Sequence, residues 1–363
     1  MKGFNNLLMS RFGPAITGGV VGALAALLVY FGNPGNMGIC VACFTRDIAG
    51  ALGLHRAGVV QYLRPEIPGF ILGAFLAAFL AKEYRPRSGS SPIVRFFLGF
   101  FAMIGALIFL GCPWRAYARL AGGDWNALAG IGGLIVGIGI GIVFLWQGFS
   151  LGKAEKSPKW AGAVMPLAAL ALLALLFFRP LFGPEGTGPV FFSASGPGAA
   201  VAPVAIALGA GLLIGWMAQK SRFCTVGAIR DLIMLKDPHL FNGVAAFVVV
   251  AFAVNYALGM FKPGFEGQPV AHTNQMWNFL GMVLSGLAFT LAGGCPGRQV
   301  IMSGEGDGDS AIVVLGMLVG AGFAHNFSLA SSPAGVTAYG MTATAIGMVF
   351  CLAVGFLFRI KMD

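Results

Sequence analysis

Ten long apolar runs constrain this chain more than any other feature of its sequence. The 363 residues are 57% hydrophobic and 10% charged, with a mean hydropathy of +0.83, whereas soluble domains carry about 25% charged residues. Because a helix needs roughly 20 apolar residues to cross a bilayer, each run predicts one span, and the fold class is an all-α polytopic membrane protein with nine or ten transmembrane helices. The predicted spans are 14–32, 66–81, 92–111, 125–151, 160–178, 198–218, 241–261, 277–293, 310–329 and 337–358.

Four further segments predict short helices that enter the membrane without crossing it. They are too rich in glycine, proline and charge to span, yet too apolar to be ordinary loops. Such backbone is tolerated at membrane depth only where it is buried in protein or lines a cavity. We therefore expect four re-entrant helices that meet at a central constriction, and each contains a cysteine: Asn36–Arg56, Cys112–Asp124, Cys224–Pro238 and Cys295–Asp307.

These segments are two copies of one pattern. The first copy contains Cys40 with Arg46-Asp47 and then Gly111-Cys112-Pro113-x-Arg115; the second contains Cys224 with Arg230-Asp231 and then Gly294-Cys295-Pro296-x-Arg298.

The two motifs recur in the same order and at nearly the same distance along the chain, from Cys40 to Cys224 and from Cys112 to Cys295. This predicts a duplicated unit of four spans and two short helices. The predicted division is repeat 1 at 1–152 (short helices at about 40–52 and 112–122), a linking span and loop at 153–197, repeat 2 at 198–335 (short helices at about 224–236 and 295–305) and a C-terminal span at 336–363, all in one membrane domain.

The basic residues predict the orientation of the chain. The net charge of +10 is spread between the apolar runs, which excludes a nucleic-acid surface and follows the positive-inside rule. Span 160–178 separates the two halves, so the second half is expected to be inverted, with Cys40 and Cys112 entering from outside and Cys224 and Cys295 from inside. The predicted cytoplasmic residues are Lys2, Arg11, Lys82, Arg85, Arg87, Arg95, Lys153, Lys156, Lys159, Lys220, Arg222, Arg359 and Lys361.

Four of the six cysteines are candidate substrate contacts. A free cysteine usually packs as a small hydrophobe, and this explains Cys351 inside the last span. A cysteine before Pro113 or Pro296 stands instead where a helix begins, facing unpaired N–H groups and the positive end of the helix dipole. Packing alone has no reason to keep such thiols in both halves, and we assign Cys40, Cys112, Cys224 and Cys295, with the adjoining Gly111 and Gly294, to substrate binding.

Cys40-Val-Ala-Cys43 leaves two alternatives open. A CxxC pair is typical of a redox dithiol or of half a metal site, which would make the protein a membrane thiol-disulfide oxidoreductase or a soft-metal transporter. Gly227 occupies the position equivalent to Cys43 in the second half, so the repeated feature is one thiol. We therefore expect a transporter, not an enzyme, with no cofactor and no bound metal.

Two pairs of arginines mark the same segments. An arginine at membrane depth costs free energy to bury and by default indicates a functional site. We therefore interpret Arg115 and Arg298 as attracting an anion or, alternatively, as pairing with Asp124 and Asp307. We interpret the adjacent pairs as structural ion pairs, together with Pro113 and Pro296 as structural residues: Arg46-Asp47 and Arg230-Asp231.

Helix N-termini bind anions and thiols add polarisable donors, so the chemistry favours a small anion with a soft sulfur or selenium atom. The Cys-containing repeats resemble the YeeE/YedE family of sulfur-compound membrane transporters, and longer strings are similar to its YedE selenium branch. Those strings are Gly32–Gly38, Arg64–Ile67, Phe265–His272 and Ala324–Phe327.

The resemblance implies an hourglass-shaped helical permease in a bacterial inner membrane, in which the cysteines pass thiosulfate along by S–H···S contacts. It also implies a small cytoplasmic sulfur-carrier partner similar to TusA. On this basis we expect uptake of a small selenium or sulfur anion, with a selenium compound such as selenite as the first candidate and thiosulfate as the second.

Overall fold

The computed structural model describes residues 2–179 and 189–359. Within these ranges a helix occupies each of the ten predicted spans and each of the four predicted short segments, and the only sheet is a pair of two-residue strands. The elements are α1 Lys2–Leu8, α2 Gly13–Tyr30, α3 Val41–Ala51, α4 Glu66–Leu80, β1 Arg87–Ser88, α5 Pro92–Phe109, α6 Pro113–Ala121, α7 Asn126–Trp146, β2 Glu155–Lys156, α8 Lys159–Gly162, α9 Val164–Phe178, α10 Val204–Ser221, α11 Thr225–Met234, α12 His239–Ala257, α13 Gln275–Ala292, α14 Pro296–Gly304, α15 Gly308–Asn326 and α16 Ala338–Leu357.

Among the described residues, eight helices are long and apolar enough to cross a membrane, which confirms the prediction of an all-α polytopic membrane protein. Helices α4 and α9 have 15 residues each and rise only about 22 Å at 1.5 Å per residue. The bounds of α4 agree with the predicted span to within one residue, whereas α9 begins at Val164 rather than at residue 160. Part of the linking loop (180–188) and the last residues (360–363, with Lys361) lie outside the described residues, as does Met1.

The long helices pack in reciprocal pairs. In the predicted repeat, α2 to α7 correspond in order to α10 to α15. Helix α2 packs against α12, and the two counterparts of these helices, α10 and α4, also pack against each other. In the same way α7 packs against α13, and their counterparts α15 and α5 pack against each other. The counterparts α5 and α13 also pack against each other, as do α2 and α10. Helices α9 and α16 stand outside this pattern, α9 against α4 and α16 against α5 and α13. Such reciprocity is the arrangement that an internal two-fold repeat predicts.

Close helix contacts depend on glycines that the sequence pattern identifies. A Cβ atom at Gly133 would collide with the carbonyl oxygen of Phe279, and one at Gly137 with that of Val283. The counterpart of Gly133 in the second half, Gly316, faces the backbone of Phe96 in the same way. Small residues let helix backbones approach closely in lipid, so these positions set the α7–α13 and α5–α15 contacts.

Matching left-handed glycines end the two Cys-Pro helices. Gly123 follows α6 with φ 95° and Gly306 follows α14 with φ 94°, a conformation that favours glycine. The chain then turns sharply into the next span, and Asp307 accepts a hydrogen bond from the Ser310 N–H at 2.9 Å. The turn thus places each short helix directly against the span that follows it.

Candidate functional site

Each candidate cysteine lies at the N-cap of a short helix. The Sγ atoms of Cys40 and Cys224 each accept a backbone N–H three residues later, from Cys43 and Gly227, at 3.2 Å. Cys295 accepts the Arg298 N–H at 3.4 Å in the same way. Cys112 caps α6 without this side-chain bond. Because a capping sulfur acts as the acceptor, the thiol hydrogen of each capping cysteine stays available to donate elsewhere.

The cysteines form two buried clusters. The first cysteine cluster is Cys40, Cys43 and Cys112, in which the Cys40 Sγ lies 2.7 Å from the Cys43 Sγ and 3.9 Å from the Cys112 Sγ. The second cysteine cluster is Cys224 and Cys295, in which the Cys295 N–H donates to the Cys224 Sγ at 3.4 Å. All five are free thiols. The structure therefore brings all four candidate cysteines together in pairs, one pair from each half.

Two cavities lie at opposite ends of α5. The first cavity, about 380 Å³, is lined by residues that include Arg46 and Leu110, which follows the last residue of α5. The second cavity, about 330 Å³, is lined by residues that include Arg230, Gly293 and Arg95, which lies in the first turn of α5. Arg46 and Leu110 occupy the same repeat positions as Arg230 and Gly293, so equivalent residues line the two cavities.

Each cavity ends beside one cysteine cluster. The Cys43 Sγ of the first cluster lies 3.9 Å from the carbonyl oxygen of Leu110, which lines the first cavity. Gly293, which lines the second cavity, is two residues before Cys295. Helix α5 runs from the second cavity to the first. Val270, five residues before α13, lines the first cavity, and Gly293, which follows α13, lines the second. Helices α5 and α13 therefore run in opposite directions between the cavities.

Arg115 and Arg298 have different surroundings, although they occupy equivalent positions. The Arg298 Nη1 donates to the Glu305 Oε1 at 3.0 Å. Arg115, which is fully buried, has no carboxylate within salt-bridge distance among residues 2–179 and 189–359. Its N–H groups donate to the first cysteine cluster, at 3.4 Å to the Cys43 Sγ, and to the carbonyl oxygens of Asn36, Leu110, Pro269 and Val270.

The alternative pairing of these arginines with Asp124 and Asp307 is wrong. The Asp124 Oδ2 accepts from the Arg119 Nε at 2.6 Å, because a side chain five residues upstream on α6 reaches back across the glycine turn. The Asp307 Oδ2 accepts from the Arg87 Nε at 2.6 Å, because β1 runs beside the start of α15. Both carboxylates are therefore occupied by arginines outside the repeated motif.

The adjacent Arg-Asp pairs are ion pairs within the short helices. Arg46 and Asp47 approach to 2.7 Å, and so do Arg230 and Asp231. Asp47 also accepts from the Arg64 Nε at 2.8 Å, a bond that ties α3 to the start of α4. Both pairs lie one turn and a half from their capping cysteines and fix the short helices without contacting a thiol.

Several buried residues escaped the sequence reasoning. Trp114 follows Cys112 by two residues and is fully buried. The one feature of the sequence that could have indicated it is a large aromatic residue at the position where the other half has Gly297. Glu305 follows the last residue of α14, and Arg298 lies in the first turn of the same helix, so the signal in the sequence was a carboxylate seven residues after the arginine. Within the described part of the chain no group of three or more His, Cys, Asp or Glu residues is placed to hold a metal ion.

This fold and site define an all-α polytopic membrane protein with two buried thiol clusters between opposed cavities. Residues 220–361 match the family model described as Sulphur transport. Over 96 residues the chain is 31% identical to a protein named thiosulfate transporter TsuA from Spirochaeta thermophila and 28% identical to one of the same name from Escherichia coli. These alignments cover 26% of this chain and only 28% and 27% of the two relatives.

Proposed function

We propose that this protein is a membrane permease for a small anion that carries a soft sulfur or selenium atom. The observation that carries the proposal is the fully buried Arg115 guanidinium, which donates to the Cys43 Sγ of the first cysteine cluster and otherwise to neutral carbonyl oxygens. An uncompensated buried charge is strongly destabilising. A transported anion beside the thiols would neutralise it.

The proposed route runs between the two cavities through the two cysteine clusters, where the halves meet as inverted repeats at a constriction. The opposite directions of α5 and α13 support the inverted arrangement. The capping thiols keep their S–H groups available to donate to a soft atom, while the helix N-termini favour negative charge. A hard anion such as phosphate would not need the thiols.

The candidate substrates are thiosulfate and selenite. Both relatives that the chain matches are named thiosulfate transporters, which supports thiosulfate as the first substrate to test. The selenium preference rests on the resemblance of the longer strings to the YedE branch. Thiosulfate offers the thiols a terminal sulfur that carries part of the negative charge, whereas the selenium of selenite is bonded to three oxygens that carry the charge, so competition between the two anions distinguishes them.

In the proposed orientation the protein lies in a bacterial inner membrane and its second cavity opens to the cytoplasm. Three arginines line this cavity, which agrees with the positive-inside rule; they are Arg87, Arg95 and Arg230. A small carrier similar to TusA would take up the sulfur at this face.

Uptake of ³⁵S-thiosulfate into proteoliposomes tests the proposal, with unlabelled selenite, thiosulfate and sulfate as competitors. We expect thiosulfate and selenite to compete and sulfate to compete poorly. Equal competition by sulfate would reject the role of the soft atom. Absence of uptake with correctly inserted protein would reject permeation.

A second candidate function is thiol-disulfide oxidoreduction at Cys40 and Cys43. The 2.7 Å separation of their Sγ atoms favours it, because a disulfide would form with little movement. In that reaction two thiols would lose two electrons and two protons to a membrane quinone. Reduction of a soluble quinone by the purified dithiol protein, with Cys40–Cys43 disulfide formation read by mass spectrometry, would establish it.

A further inference from the structure

The indole of Trp114 lies on the first turn of α14. A Cβ atom added to Gly297 would lie 2.6 Å from the Trp114 Cζ2 and 3.1 Å from its Nε1, so the ring covers the glycine face two residues after Cys295. The ring centroid is also 5.7 Å from that of Phe223, the residue before Cys224. One side chain of the first half therefore contacts the segments that bear both thiols of the second cysteine cluster.

The Trp114 N–H is an unpaired donor at this place. The side chain is fully buried, and within the described residues its Nε1 has no hydrogen-bond partner. Buried tryptophan N–H groups usually have a partner, and each exception calls for an explanation.

The neighbouring backbone is suited to negative charge. The first N–H groups of a helix have no partner inside the helix. At α14 Pro296 has no N–H and the Arg298 N–H is taken up by the Cys295 Sγ, which leaves the N–H of Gly297 as the donor of this turn. The indole of Trp114, on α6, lies against this turn with its Nε1 among the atoms nearest to Gly297. A hard N–H donor is thus placed beside a soft thiol, and the two suit different atoms of one ligand.

We infer that Trp114 and the first turn of α14 form an oxyanion subsite, in which the indole N–H binds an oxygen of the transported anion while its soft atom faces the second cysteine cluster. This inference rests on the proposed function and adds a selectivity element to it. Anions with oxygen atoms, such as thiosulfate, would depend on Trp114. An anion without oxygen, such as hydrosulfide, would not.

Trp114→Phe tests the subsite because phenylalanine keeps an aromatic ring over Gly297 and removes only the donor. We expect the Kd for thiosulfate, measured by calorimetry on the full-length protein in nanodiscs, to rise about tenfold or more, the typical effect of one hydrogen bond to a charged group. Trp125→Phe is the matched control, since Trp125 is 43% exposed, and it should leave the Kd unchanged. A wild-type Kd in Trp114→Phe overturns the inference and leaves the proposed function standing, whereas a wild-type protein that neither binds nor transports thiosulfate overturns both.

A fluorescence titration covers the case in which Trp114→Phe fails to fold. The chain has six tryptophans, and a variant that keeps only Trp114 reports on this site alone. We expect thiosulfate to change its emission with a midpoint equal to the calorimetric Kd. An unchanged emission at saturating thiosulfate would overturn the inference.

Discussion

The Nη1 atom of Arg298 donates to the Oε1 atom of Glu305 at 3.0 Å. The equivalent arginine of the first half, Arg115, faces carbonyl oxygens and the Cys43 Sγ instead. The repeat therefore conserves the arginine but not its counter-charge, because Gly122 stands where the second half has Glu305. The two positions should respond differently to the same substitution.

Arg115→Gln should abolish most of the anion affinity, whereas Arg298→Gln should mainly destabilise the fold. The N–H groups of Arg115 already donate to protein acceptors, so Arg115 attracts the anion through its charge, and loss of a nearby buried charge weakens binding about tenfold or more. Removal of one partner of a buried pair, as at Arg298, costs about 3 kcal/mol. Thiosulfate Kd and melting temperature of both variants separate the two effects. Arg115→Lys, which keeps the charge, should retain more affinity than Arg115→Gln; equal loss in both would contradict the role of charge.

Alanine at Cys112, Cys224 or Cys295 should remove most thiosulfate uptake, because each thiol caps a helix that faces the proposed route. Cys43→Ala should be tolerated, since the second half has Gly227 at that position. Cys351→Ala is the control, because Cys351 is equally buried but lies in α16. Initial uptake rates in proteoliposomes make the comparison. If Cys43→Ala were as damaging as Cys295→Ala, the oxidoreductase hypothesis would gain over permeation.

Gly133→Leu should destabilise the protein by about 3 kcal/mol or more, since overpacking of a close contact typically costs 1–3 kcal/mol and here the obstacle is the backbone of Phe279. The melting temperature of the purified protein measures the effect. Gly139→Leu is a matched control on the same helix, because a Cβ at Gly139 meets no atom within 4 Å. Equal melting temperatures for the two variants would contradict the prediction, because they would mean that α7 and α13 can move apart at Gly133 without loss of stability.

Glu83, in the loop after α4, should make stability fall in acid. Partial burial favours its neutral form, but hydrogen bonds from Gln219 and Lys220 outweigh burial and lower the pKa of Glu83 below its usual 4.5. A carboxylate with a lowered folded pKa contributes stability that is present above pH 4.5 and is lost as the pH falls through the folded value. Melting temperatures at pH 7 and pH 4 should therefore differ less in Glu83→Gln than in the wild type. An identical difference in both would assign the acid sensitivity to other groups.

The class of fold and the location of the short helices could be predicted from the sequence. Hydropathy is a local property of about 20 residues, so all ten predicted spans coincide with helices, and the Cys-Pro steps at Cys112 and Cys295 coincide with helix starts. Helix bounds were predicted less well at α7, which ends at Trp146 rather than at residue 151, and at α10, which begins at Val204 rather than at residue 198, because an apolar run does not show where a helix ends when its flanking loops are apolar too.

By itself, the sequence determined that this is a polytopic helical membrane protein and that thiols begin its short helices, since hydrophobic runs and proline act within one segment. Only the tertiary structure decided which side chains meet. Arg298 forms a salt bridge with Glu305, and Arg87 forms one with Asp307. No carboxylate of the described residues lies within salt-bridge distance of Arg115. Only the structure shows, too, that the Trp114 ring lies against Gly297 of the other half and that its N–H has no partner among the described residues. The physical reason is that the choice of partner depends on distances in space, both within one short helix, as for Arg298 and Glu305, and between the two halves, as for Arg87 and Asp307, and a linear pattern does not contain these distances.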